Sequence, residues 1–86
     1  MTALEFAAAV LTIALEVPMS ATSWGRTRKH NAASHVMGVV NSHHLRWCGL
    51  DVELDDRGDE SRLFAAARRV GLEVIVEEDH YHLEPK

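Results

Sequence analysis

The chain has 86 residues, 47% of them hydrophobic, with nine basic against thirteen acidic side chains and a net charge of -4. That describes one domain, residues 1–86, with a small core, and the negative balance argues against nucleic acid as the main partner: the one basic cluster, Arg26-Thr27-Arg28-Lys29-His30, is too short to reverse it. The lone cysteine, Cys48, excludes an internal disulfide.

Residues 3–16, ALEFAAAVLTIALE, are rich in helix formers and predict a mostly buried helix, which Val17-Pro18 ends. Their apolar run at 7–15 has no basic segment before it, is bracketed by Glu5 and Glu16, and is too short to cross a bilayer. It therefore reads as a core helix, with no membrane span and no visible export signal. Residues 19–24 form a short extended segment. Residues 25–38 read as a loop followed by a short helix, and 41–49 as irregular and polar.

The second half is more regular. Leu50, Val52 and Leu54 alternate with Asp51 and Glu53, the pattern of a half-buried strand. Asp55-Asp56-Arg57-Gly58 makes a turn, and Asp59 is placed to cap a helix running to Val70, with Leu63, Ala67 and Val70 on its apolar face and Gly71 as its stop. Residues 72–76 form a strand, Glu77-Glu78-Asp79 a turn, and 80–83 a further extended stretch. The sum is an α+β domain with a small antiparallel sheet and flanking helices.

Two polar groups carry the chemistry: Ser42-His43-His44 followed by Asp51, and Asp79-His80-Tyr81-His82 near the C-terminus. Together they offer two imidazoles and a carboxylate for an ion, with a second carboxylate left to move protons, which is the inventory of a catalytic zinc site. His44 lies seven residues before Asp51, in the loop that feeds its strand, so both side chains can reach one ion. His80 and His82 alternate in an extended segment and point to one face, about 6–7 Å apart at the backbone. On the residues alone His43 rivals His44 as a ligand, and Glu77-x-x-His80 rivals Asp79-x-x-His82. His30 and His35 have no assigned role.

Ser23-Trp24-Gly25-Arg26-Thr27, then Asn31, Gly38, Ser42, His44, Asp51 and Asp79-His80-Tyr81-His82 resemble the zinc D-alanyl-D-alanine carboxypeptidase and endolysin peptidase family, whose pattern is S-x-x-R-[ST], then S-x-H-x-x-G-x-A-x-D, then [DE]-x-x-H. The resemblance runs from Ser23 to His82. It implies the Hedgehog/DD-peptidase fold and hydrolysis of peptide bonds in bacterial peptidoglycan by a monomer holding one zinc ion. His44, Asp51 and His82 would be the ligands. Asp79 would deprotonate the zinc-held water and then protonate the leaving amine, and His80 would stabilise the oxyanion. Arg26 would hold the scissile carbonyl or a substrate carboxylate, Ser42 would orient the His44 loop or contact substrate, and Trp47 would line the cleft. The family has glycine and alanine where this chain has Trp47 and Gly49. Action on the cell wall would require release by lysis or a holin-like route.

Overall fold

The computed structural model describes residues 1–27, 29 and 43–86. The first helix, α1 (Ala3–Ala14), opens with a capping box: the Thr2 hydroxyl accepts from the Glu5 amide at 3.1 Å, and the Glu5 carboxylate accepts from the Thr2 amide at 2.8 Å. Phe6, Ala9, Val10 and Ile13 recur at helical spacing and are buried. Leu4, Leu11 and Leu15 are exposed, so the helix expected to be mostly buried is one-sided. Its run of apolar residues carries no polar stripe to mark the inner face, and neighbouring elements cover only one side. The helix also stops two residues short of the expected end, with the amides of Glu16 and Val17 turning back to the Ile13 carbonyl.

Four strands follow the expected positions: β1 (Met19–Ser23), β2 (Leu50–Leu54), β3 (Leu72–Val76) and β4 (Tyr81–Pro85). They form one antiparallel sheet in the order β1-β2-β4-β3. The chain is thus α+β with a small antiparallel sheet, as its patterning predicts. The second described helix, α2 (Glu60–Arg69), connects β2 to β3 and packs Leu63, Ala66 and Ala67 into the core. Leu50 and Val52 of β2 and Tyr81 and Leu83 of β4 fill the same core. Period-two alternation then puts Asp51, His82 and Glu84 on the opposite face. The Tyr81 hydroxyl donates to Glu60 Oε1 at 3.0 Å, and the Arg57 guanidinium stacks 4.6 Å from its ring centre.

Asp59 stands at the cap position of α2 but makes no capping bond; its carboxylate accepts from Arg62 at 3.2 Å. A short 3-10 turn, Arg57–Asp59, leads into the helix instead, and Asp56 caps it by accepting from the Gly58 amide at 2.8 Å. Gly71, at φ 79°, ends the helix in the left-handed conformation that favours glycine. The short helix expected within residues 25–38 falls largely outside the described residues. No helix among those described is long and apolar enough to cross a membrane.

Candidate metal centre

Asp51 and His82 are direct cross-strand partners on the two central strands, β2 and β4. Both point away from the core, and His82 Nδ1 donates to Asp51 Oδ1 at 2.8 Å. His44 reaches the same place from a 3-10 turn, His43–Arg46, just before β2. Its Nε2 lies 3.4 Å from Asp51 Oδ1, and its ring centre 5.2 Å from that of His82. Only 2% of His44 is exposed, so this ligand-bearing turn is part of the packed structure.

The segment after β1 holds that turn in place. The Trp24 carbonyl accepts a short hydrogen bond from His44 Nδ1, and the Arg26 amide donates to the His44 carbonyl at 3.0 Å. The Trp24 indole donates to the Trp47 carbonyl at 3.2 Å. With Nδ1 directed at a backbone carbonyl, His44 turns its other ring nitrogen, Nε2, toward Asp51. Such an outer hydrogen bond fixes the tautomer of a metal-binding histidine.

The ligand atoms of His44, Asp51 and His82 all lie within 4.8 Å of one another. Ligands at about 2.0–2.1 Å around a tetrahedral ion stand about 3.3–3.4 Å apart. The His44–Asp51 edge already has that length, and the His82–Asp51 edge needs to open slightly as an ion replaces the bridging proton. Two edges of the donor set are thus compatible with a tetrahedral ion such as zinc, and the third is within 4.8 Å. Burial pushes the Asp51 carboxyl up, but hydrogen bonds from His44 and His82 outweigh it and hold the group well below the usual carboxylate range. His82 is pushed up by its hydrogen bond to Asp51 against the opposing effect of burial, with Glu84 adding to the rise. Its second nitrogen, Nε2, donates to Glu84 Oε1 at 2.8 Å.

His80 flanks the centre. Its Nε2 lies 3.8 Å from Asp51 Oδ1, while its Nδ1 is 2.6 Å from Asp79 Oδ1. The Asp79 side chain is 85% exposed, and its bond to His80 holds its pKa down. One imidazole thus stands between the exposed carboxylate and the donor set.

Trp47 is 54% exposed and adopts φ 60°. Its ring lies over Gly25, where an added Cβ would meet it at 1.8 Å. Arg26 is half-buried beside this turn, and Ser42 lies outside the described residues. Two residues outside the expected ligand set, His43 and Glu84, also meet here: His43 Nδ1 lies 3.3 Å from Glu84 Oε2. The alternation His80-x-His82-x-Glu84 is the signal for Glu84, since a strand puts all three on one face. No protein-family model, curated protein or solved structure matches the chain.

Proposed function

We propose that this chain is a zinc-dependent hydrolase of the Hedgehog/DD-peptidase type that cuts peptide bonds in bacterial peptidoglycan stem peptides or cross-links. The observation that carries the reading is the meeting of His44, Asp51 and His82 from a turn and two central strands, in the order and spacing of the family pattern. A zinc ion held there would supply Lewis acidity and make water a usable nucleophile near neutral pH.

The remaining work falls to the protein's own groups. His80 Nε2 faces the centre and Asp79 backs its other nitrogen, so in place of the separate base and oxyanion roles implied by the resemblance, the pair draws a proton from the attacking water. Water oxygen bonds to the carbonyl carbon, the C–N bond breaks, and the same pair returns the proton to the departing amine. Arg26, tied by its backbone to the His44 turn, holds the carbonyl or a neighbouring substrate carboxylate by its planar fork. Trp47 walls the cleft.

The test is release of new amino groups from purified peptidoglycan of several wall types, with and without a chelator. Chelator-sensitive release is expected. Retained zinc with no release from any wall type would instead support a family member that binds zinc or cell-wall peptide without cleavage.

A further inference from the structure

The His82 ring is held between two carboxylates on different sides, Asp51 on Nδ1 and Glu84 on Nε2, each at 2.8 Å. A second histidine stands at each carboxylate: His44 at Asp51, and His43 at Glu84. Neighbouring side chains on a 3-10 turn diverge by about 120°, so consecutive histidines reach separate partners. Two complete donor sets result, both containing His82: His44, Asp51, His82 and His43, His82, Glu84, each with its ligand atoms within 4.8 Å.

We infer that His43, His82 and Glu84 form a second divalent-cation position, on the opposite nitrogen of the His82 ring, which competes with the His44–Asp51–His82 position for that ring. The His43–Glu84 separation of 3.3 Å already matches the edge of a tetrahedral zinc site, which is about 3.3–3.4 Å. His43 and Glu84 also line a surface depression with Met1, Arg46, Cys48 and Lys86, which leaves room for water to complete the coordination. The His43 side chain is 39% exposed against 3% for His44, so the outer ion exchanges with solvent more readily and binds more weakly.

Competition follows from the chemistry of imidazole. A neutral ring has one N–H and one lone pair. An ion on Nδ1 leaves the Nε2 proton for Glu84; an ion on Nε2 leaves the Nδ1 proton for Asp51. Filling both positions requires removal of the last ring proton. Excess zinc therefore draws His82 away from the inner ion. The inner position is the one assigned above to hydrolysis, but ion binding at the outer one does not depend on that assignment.

The experiment is titration of the full chain with zinc and with cobalt(II), read by equilibrium dialysis and by the visible absorption of bound cobalt. The wild-type protein should take one ion tightly and a second at higher free metal, and the second should alter the cobalt spectrum of the first. His43→Ala, which removes a partly exposed side chain, should keep the first ion and weaken the second by at least about tenfold. Folded His44→Ala protein should lose the tight ion and still take one weakly, and adding Glu84→Gln should remove it. A second ion indifferent to His43→Ala, no second ion in the wild type, or a first-ion spectrum unmoved by the second would each overturn the proposal. Absence of the tight ion in the wild type, with weak His43-dependent binding kept, would reject the hydrolase reading and leave the outer position standing.

Discussion

Asp51 is the residue on which the centre converges. It is 19% exposed at the side chain, meets His82 and His44 directly, and lies 3.8 Å from His80. The imidazoles around it differ in what occupies their far nitrogens: a backbone carbonyl for His44, Glu84 for His82, and Asp79 for His80. In the proposed reaction, the exposure of the far partner is what would separate ligand from proton carrier: the Glu84 side chain is 16% exposed and that of Asp79 85%. His44 has its outer proton fixed by a group that does not titrate, whereas the outer partner of His80 is a solvent-exposed carboxylate able to exchange protons. Asp79→Asn is therefore expected to retain zinc and fold while lowering turnover on the order of 10² or more. His80→Ala should lower it by a similar factor, and the double variant by little more than either, since groups that act as a unit are not additive. Metal analysis beside steady-state kinetics checks this. Near-normal turnover in His80→Ala would mean that Asp79 reaches the water directly.

At the scale of elements, the centre depends on how the turn carrying His44 is fastened to the end of β1. Three backbone or indole hydrogen bonds join residues 24 and 26 to residues 44 and 47, and the Trp47 ring closes over Gly25. Trp47 sits where the family pattern has glycine, and its φ of 60° is the left-handed conformation that glycine adopts without strain. The turn combines a glycine-like backbone at Trp47 with a large ring over Gly25. Gly49 fits the same turn: a Cβ there would stand 2.8 Å from the His44 amide nitrogen. Gly25→Ala should thus destabilise the protein by about 1–3 kcal/mol through overpacking. In a Trp47→Gly background, most of that penalty should vanish. Urea unfolding of the two single variants and the double variant gives the coupling directly. An equal cost of Gly25→Ala in both backgrounds would show that the indole is not what excludes a side chain there.

For the whole molecule, an ion at the inner position would tie together β2, β4 and the turn before β2 on the face of the sheet opposite the core. A small domain gains much from such a tie. An ion at a hundred times its dissociation constant adds about 2.7 kcal/mol of stability. Chelation should accordingly lower the Tm of the wild type clearly and that of His44→Ala much less. Equal shifts in both would place the stabilising ion elsewhere. Much of the architecture was legible in local sequence. Alternation of Leu50, Asp51, Val52 and Glu53 fixed the strand and its two faces, and Gly71 fixed the end of α2. These features depend on neighbours within a turn or a pleat. The outward face of α1 was not legible, because Leu4, Leu11 and Leu15 differ in no intrinsic way from the buried Phe6, Val10 and Ile13. Asp59 likewise had the right position for a cap, but its backbone, at φ -85° and ψ 8°, belongs to the preceding 3-10 turn, and its carboxylate accepts from Arg62 instead. The sequence by itself determined that His44, Asp51 and His82 are present, that Asp51 and His82 lie on strands, and that His80 and His82 share a face. Tertiary structure alone decided that β4 inserts between β2 and β3 in the register Asp51 to His82, across 31 residues of chain. A slip of one residue would turn His82 into the core and Tyr81 and Leu83 out of it, and burying those two side chains is what prevents it.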